Sequence, residues 1–302
     1  MFDRILVPVD SSKLADAVLP YAEELAGNFN SEVTLMYVCE PGEQKHHLVH
    51  KFYMGKIAEL VKSQIERNYP RKRSTGIKVK SEVVIGKQGA AISDYANNND
   101  ISLIVIAGRG RSGIMRRLMG QIADRVLRDT SMPVLLTKTT KPSPELGPMH
   151  LLDKILIPLD GSKNDEAALP CIKEFVKKMG TEVTLLRVIT PRQHVHTMRG
   201  LDYVRLTDQE IEYEKAKARR YLEQVGRKLS GAKAILWREV RIGEDIAKEI
   251  THFANEMNIR LIVVTPRRKA GIGRWISGSE TQKVLQATNV PVLLFRTSER
   301  KS

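Results

Sequence analysis

Short apolar runs alternate with segments of helical periodicity along the chain, and the whole alternation occurs twice. The runs are rich in Val, Ile and Leu, as strands buried in a parallel sheet are. In the first half, the predicted strands are Arg4–Val9, Val33–Val38, Lys78–Ile85, Leu103–Ala107 and Val134–Thr137. In the second half, the predicted strands are Lys154–Leu159, Val183–Val188, Ala234–Ile242, Leu261–Val264 and Val292–Phe295.

The segments between the runs predict helices. Leu14–Ala26 has apolar residues three or four positions apart, and Gly27 is expected to end it. Further helices are predicted over about 44–67, over 90–96 and over 115–127. Strands that alternate with helices need right-handed crossovers, which give a parallel sheet covered on both faces. The predicted fold class is α/β, with two tandem Rossmann-like open five-stranded parallel sheets that carry helices on both faces.

The second half repeats the sequence of the first. Ile5–Lys13 returns as Ile155–Lys163, and Val33–Val38 returns as Val183–Val188, in both cases 150 residues later. A repeat of this length is the size of a complete domain and too long for a solenoid unit. The predicted organisation is a domain over 1–140, a Pro-rich linker over 141–152 and a second domain over 153–302.

Composition and charge narrow the functional classes. The net charge is +14, but the basic residues are spread through both halves and aromatic residues make up only 5% of the chain. Little is therefore available for stacking on bases, and small phosphorylated ligands are a better match than nucleic acid. No apolar run is long enough to cross a bilayer. The two cysteines, Cys39 and Cys171, make no disulfide framework, so we expect a cytoplasmic protein.

The candidate ligand-binding residues lie where the strands end, because open parallel sheets bind ligands beyond the carboxyl ends of their strands. The loop after the first strand contains Asp10, followed by Ser11 and Ser12. An aspartate before two serines is a common arrangement for capping a helix. The same carboxylate would also suit the hydroxyl groups of a ribose. We favour the ribose role in the first domain, with capping by the serines.

The loop after the fourth strand is rich in glycine and arginine. Gly108, Gly110 and Gly113 let the backbone approach a ligand closely, and Arg109 and Arg111 add positive charge. Exposed amides followed by a helix N-terminus form a cradle for phosphate oxygens. A tight strand-to-helix turn without any ligand would use the same glycines, so the loop alone does not decide between the two.

Together, these residues resemble the universal stress protein family across nearly the whole chain. The family opens with a strand of the form I-L-V-P-x-D-x-S and carries G-x2-G-x9-G-S/T after its fourth strand. Both copies have the opening, and nine residues separate Gly110 from Gly120 in the first copy. Two positions depart from the pattern there, because Ala107 replaces the leading glycine and Gln121 replaces the closing Ser or Thr.

The resemblance implies an adenine-nucleotide site in the first domain, for ATP or AMP with or without Mg²⁺. Adenine would lie near Val38, the ribose near Asp10, and the phosphates on the glycine loops. The implied binding residues are Pro8, Val9, Asp10, Ser11, Val38, Ala107, Gly108, Arg109, Gly110, Arg111, Gly113, Gly120, Gln121 and Ile122.

The second domain departs further from the family pattern. Thr265-Pro266-Arg267-Arg268 replaces the first glycine pair, although the closing pair is kept. Two interpretations stay open: a degenerate domain kept for packing, or a site where arginine charge replaces backbone donors. The residues implied for such a site are Asp160, Val188, Arg268, Gly278 and Ser279.

No catalytic or metal-binding pattern stands out in the sequence. His46, His47 and His50 could share a helical face, but they have no matching carboxylate or cysteine cluster. The favoured function is a nucleotide-binding stress-response protein that acts as a sensor or regulatory module. The alternatives are a slow ATP-hydrolysing enzyme and an interaction protein whose sites stay empty.

The resemblance also bears on assembly. Fifth strands of this family often pair across a two-fold axis, so Val134–Thr137 and Val292–Phe295 are expected to pair within this chain. Such pairing would cover two exposed strand edges and make an intramolecular pseudo-dimer. Further association into a homo-oligomer stays open.

Overall fold

The chain folds into two compact units. The structure, a computed structural model, describes residues 1–9, 13–70, 76–108, 120–138, 149–177, 181–197, 200–229, 234–266 and 279–295. The first unit contains Met1–Leu151 together with the last strand of the chain, and the second contains Leu152–Thr265 together with the last helix.

The first unit follows the predicted alternation of strands and helices. Its strands are β1 (Arg4–Pro8), β2 (Glu32–Cys39), β3 (Val79–Ile85), β4 (Leu103–Gly108) and β5 (Val134–Lys138). Its helices are α1 (Lys13–Phe29), α2 (His47–Asn68), α3 (Gln88–Asn98) and α4 (Gln121–Asp129), with a 3-10 helix over Pro41–His46 before α2. All five predicted strands are confirmed, and each observed end lies within one residue of the predicted end.

The sheet of the first unit is centred on β1. Strand β1 pairs in parallel with β2 on one side and with β4 on the other, and the full order runs β5-β4-β1-β2-β3. Ile5, Leu6 and Val7 of β1 have no solvent-exposed surface. Their burial on both faces explains why the run is continuously apolar instead of alternating.

Helix α1 extends further than its sequence predicted. Gly27 was expected to end it, but the helix continues to Phe29 and ends where Asn30 adopts a left-handed φ of 57°. The prediction was wrong because Gly27 serves packing instead of termination. A Cβ atom at this position would lie 2.3 Å from the ring of Tyr69, so the aromatic side chain packs directly on the helix backbone.

The second unit repeats the architecture with one insertion. Its strands are β6 (Lys154–Pro158), β7 (Glu182–Ile189), β8 (Arg192–Thr197), β9 (Gly200–Arg205), β10 (Ile235–Ile242) and β11 (Leu261–Val264). Its helices are α5 (Lys163–Lys177), α6 (Asp208–Leu229), α7 (Ile246–Glu256) and α8 (Ser279–Ala287). Its parallel sheet has the order β10-β7-β6-β11, and β8 and β9 form a separate antiparallel hairpin that the sequence did not predict.

The last strand, β12 (Val292–Leu294), joins the sheet of the first unit. It pairs antiparallel with β5, with Leu293 opposite Leu135. The predicted pairing of these two segments is confirmed. The pairing covers the edge of β5 that would otherwise expose unpaired backbone groups. Phe295 continues the contact, because its ring lies 6.1 Å from that of Phe2.

No helix in the part of the chain that the structure describes is long and apolar enough to cross a membrane.

The contact between Gly27 and Tyr69 predicts a position-specific cost. Gly27→Ala should destabilise the protein by roughly 1–3 kcal/mol, because the added methyl group overlaps a ring held in place by its surroundings. The matched control is Gly55→Ala in α2, where a Cβ meets nothing within 4 Å. That substitution should be neutral or stabilising by about 0.5–1 kcal/mol, because alanine favours a helix. Urea unfolding of the three proteins measures both effects, and equal stability of the two variants would contradict the packing role.

Candidate functional site

The strand order of the first unit reverses between β1 and β4. From β1, the chain places β2 and β3 on one side and β4 and β5 on the other. Open α/β sheets bind ligands at the carboxyl edge beside such a reversal. Pro8 ends β1 and Gly108 ends β4, so these two residues lie on either side of the reversal.

The predicted residues around β1 and β2 lie at this edge. The amide of Val9 donates to the carbonyl oxygen of Met36 at 2.8 Å, which continues the pairing of the two strands past Pro8. Val38, the penultimate residue of β2, is almost completely buried. Ala107 and Gly108 pair with Thr137 and Lys138 at the end of β4. The structure therefore brings Pro8, Val38 and Gly108 to the carboxyl ends of neighbouring strands.

Helix α4 begins at the same edge, because it connects two parallel strands, β4 and β5. Its N-cap residue, Gly120, has φ 84° and ψ 135°, a backbone conformation that glycine adopts without strain. Gly120 has no side chain, and no described side chain caps the helix. The first amides of a helix have no partner within it, so those of Gln121 and Ile122 can donate hydrogen bonds to an anionic ligand.

The remaining predicted residues of the first site cannot be placed. Asp10, Ser11, Arg109, Gly110, Arg111 and Gly113 lie outside the described residues. Their roles stay predictions.

In the second unit, the corresponding loop is occupied by a carboxylate of the chain itself. Asp165, in the first turn of α5, accepts hydrogen bonds from the amides of Asp160 at 2.6 Å and Gly161 at 3.0 Å. Asp160 in turn accepts from the amide of Ser162 at 2.8 Å. Asp160 thus makes a local turn contact of the capping type. The first unit has Ala15 where the second has Asp165, so it has no carboxylate at that position.

Burial controls the protonation of this carboxylate. Desolvation and, to a smaller extent, the nearby charge of Asp160 raise the pKa of Asp165 to about 7, although its backbone hydrogen bonds act in the opposite direction. Burial and the same two aspartates also raise the pKa of Tyr221. Arg187 donates to the carbonyl oxygen of Leu159 at 3.1 Å across this loop.

Sequence reasoning missed three of these residues. Asp165, Arg187 and Tyr221 do not belong to the family pattern, and the first copy has Ala15 and Tyr37 where the second has Asp165 and Arg187. Those replacements of an apolar or neutral residue by a charged one were the available signal. Of the residues predicted for the second site, Val188 lies buried near the end of β7 and Ser279 begins α8. Arg268 and Gly278 lie outside the described residues.

The histidines near α2 have an aromatic environment. The ring of His50 stacks on Tyr37 with centroids 4.4 Å apart. Among the described residues, no group of three or more His, Cys, Asp or Glu side chains is placed to hold a metal ion.

Comparison with known proteins identifies the family. The model described as "Universal stress protein family" matches residues 1–138 and 152–296, which together make up most of the chain. The chain belongs to the universal stress protein family. The two matched segments correspond to the two copies of the repeat.

Relatives of the family occur with one copy and with two. Universal stress protein MJ0531 of Methanocaldococcus jannaschii is 26% identical over 152 residues, which are 47% of this chain and 85% of that protein. Universal stress protein Slr1230 of Synechocystis is 22% identical over 316 residues, which span 97% of this chain and 99% of that one.

A solved structure shares the fold over both copies. The crystal structure of a universal stress protein from Archaeoglobus fulgidus matches with a TM-score of 0.65 and 22% identity. The match covers 98% of this chain and 99% of the other. The α/β fold with tandem domains, predicted from the alternation of strands and helices, is therefore confirmed.

The raised pKa of Asp165 predicts how stability depends on pH. A folded pKa of about 7, above the ordinary 3.8, means that the folded state holds the proton more tightly than the unfolded state. Stability should therefore fall as the pH rises from about 4 to about 7, by roughly 1–3 kcal/mol. Asp165→Asn mimics the protonated acid and should remove this loss.

Thermal melts at pH 5 and pH 8 measure the effect. The advantage of Asp165→Asn over the parent protein should be larger at pH 8 than at pH 5. Glu223→Gln, which changes an exposed carboxylate on α6, is the matched control and should show no such difference. An advantage of equal size at both pH values would contradict the assignment.

Proposed function

We propose that this protein binds an adenine nucleotide, ATP or AMP, at the carboxyl edge of the first unit and acts as a sensor or regulatory module of the stress response. The observation that carries the proposal is the uncapped start of α4 beside the strand reversal. Gly120 adopts a left-handed φ there, and the amides that follow it have no side-chain acceptor among the described residues. Phosphate oxygens complement such a helix N-terminus in both charge and hydrogen bonding.

The residues at the neighbouring strand ends suit the rest of a nucleotide. Val38 is buried near the end of β2, at the adenine position that the family resemblance implies. Gly108 ends β4 without a side chain, so a ligand can approach its backbone. Asp10 follows β1 by two residues and would bind the ribose hydroxyls. Mg²⁺ would accompany ATP and balance the charge of its phosphates.

The second unit is less suited to a triphosphate. The amides of Asp160 and Gly161 already donate to Asp165, so these donors are not available to a ligand. When Asp165 is ionised, it also adds a negative charge at a position where the first unit has Ala15, and this charge would repel phosphate groups. These contacts support a site mainly in the first unit and favour the degenerate interpretation of the second.

Two glycines with similar positive φ angles allow a matched test. Gly120 has φ 84° in the first unit, and Gly161 has φ 76° in the second. Alanine is strained at either position. Gly120→Ala should weaken ATP binding roughly tenfold or more, because the strain displaces the amides that contact phosphate. Gly161→Ala should leave the affinity for ATP within about twofold of the parent protein.

Isothermal titration calorimetry with ATP and AMP measures both variants, and circular dichroism melts confirm that they fold. Mass spectrometry of small molecules released from freshly purified protein provides an independent test for bound nucleotide. Equal losses in the two variants would argue against a site in the first unit. Absence of ATP and AMP binding by the parent protein would refute the proposed function itself.

A further inference from the structure

A concave surface lies in the second unit at the amino ends of its strands, and therefore opposite the carboxyl edge of that sheet. It encloses about 160 Å³. Its walls come from three neighbouring strands and from the segment that connects α7 to β11. The lining residues are Lys154, Glu182, Thr184, Trp237, Met257 and Ile259.

At the equivalent position in the first unit, polar side chains of that unit contact one another. Lys80 lies opposite Thr34 in the sheet, and its ammonium group contacts a carboxylate oxygen of Glu32 at 3.0 Å. The hydroxyl group of Tyr95 makes a hydrogen bond with Thr34. Arg4, at the start of β1, pairs with Asp100 at 3.2 Å. Each charged group here has a partner from its own unit.

The second unit keeps the two residues that accept these contacts, but other residues replace the lysine and the tyrosine that make them in the first unit. Glu182 and Thr184 correspond to Glu32 and Thr34, and Trp237 lies opposite Thr184 where the first unit has Lys80. The residue that corresponds to Tyr95 in α7 is Phe253, which is buried and has no hydroxyl group to offer Thr184. Without Lys80, Glu182 depends on Lys154.

That remaining ion pair is loose. The Lys154 ammonium nitrogen lies 3.8 Å from the nearest Glu182 oxygen, which is beyond hydrogen-bond distance. In the first unit, Arg4 has Asp100 as a partner, but the second unit has Asn258 at that position of the loop before its strand. The carboxylate of Glu182 therefore lacks the close cation that Glu32 has.

Two large apolar residues of the cavity are exposed. Trp237 is 58% exposed and Met257 is 43% exposed. Indole and thioether groups bind the flat faces or alkyl parts of small molecules well. In the first unit, the same two positions hold Lys80 and Asn99, so the aromatic surface is a property of the second copy alone.

We propose that this cavity binds a small organic cation, an amine with an aromatic or aliphatic body of up to about ten non-hydrogen atoms. The ammonium group would bind Glu182 as Lys80 binds Glu32, and one of its hydrogens would reach Thr184. The body would lie against Trp237 and Met257. The indole face attracts cations and the carboxylate is anionic, whereas Lys154 is the one cationic side chain among the lining residues described. A cation is therefore favoured over a carboxylate ligand.

Trp237 makes the proposal directly measurable. Trp275→Phe removes the other tryptophan of the chain, so the fluorescence that remains comes from Trp237. The probe is 2-phenylethylamine, and its matched controls are 2-phenylethanol, which is neutral, and 3-phenylpropionate, which is anionic. We expect a saturable fluorescence change with the amine, at least roughly tenfold weaker binding of the alcohol and no preference for the acid.

Two substitutions test the residues involved. Glu182→Gln should weaken amine binding roughly tenfold or more, because a charge-assisted hydrogen bond becomes a neutral one. Trp237→Lys restores the arrangement of the first unit and should abolish binding, as measured by ligand-observed NMR. Trp237→Phe keeps an aromatic face and should retain part of the affinity. Thermal melts confirm the folding of each variant.

Other outcomes would overturn the proposal. These are equal affinity for amine and alcohol, preference for the acid, unchanged binding in Glu182→Gln, or no saturation with any probe. The result is independent of nucleotide binding, because Gly120→Ala, which is predicted to impair ATP binding, should bind the amine like the parent protein.

Discussion

The structure of the first unit depends on the parallel pairing of β1 with two neighbours. Ile5, Leu6 and Val7 are completely buried, so this strand can lie only in the middle of a sheet that is covered on both faces. With β1 central, β2 and β4 must lie on opposite sides of it. The strand order then reverses at its carboxyl end, which is the place where open α/β sheets bind ligands. The candidate nucleotide site is a direct consequence of this burial.

The two copies show how one fold supports different surfaces. At the carboxyl edge of the first unit, no side chain of the described residues caps the start of α4, while in the second unit the carboxylate of Asp165 accepts hydrogen bonds from the loop amides. At the amino edge, the first unit pairs Lys80 with Glu32, while the second replaces that lysine with Trp237 and opens a cavity. The cores of the two copies keep the same apolar pattern. The copies therefore differ mainly at the ends of the strands, where side chains do not have to pack.

Much of this organisation could be predicted from local sequence. Strands buried on both faces appear as continuous aliphatic runs, and the sequence predicted the ends of the parallel strands to within about one residue. Prediction failed where a residue has more than one physical use. Gly27 suits a helix end, yet it lies inside α1 because Tyr69 packs on its backbone. The hairpin of β8 and β9 was missed because its strands are polar and belong to an insertion without a counterpart in the first copy.

The sequence by itself determined the repeat, the α/β class and the family, because periodicity and motif spacing are local properties. The tertiary structure alone decided which polar groups find partners. Arg187 reaches the carbonyl oxygen of Leu159 only because β7 pairs with β6, and Glu182 lacks a close lysine only because Trp237 lies on the adjacent strand. Such contacts depend on the register between strands and the packing of helices, which residues distant in sequence establish together.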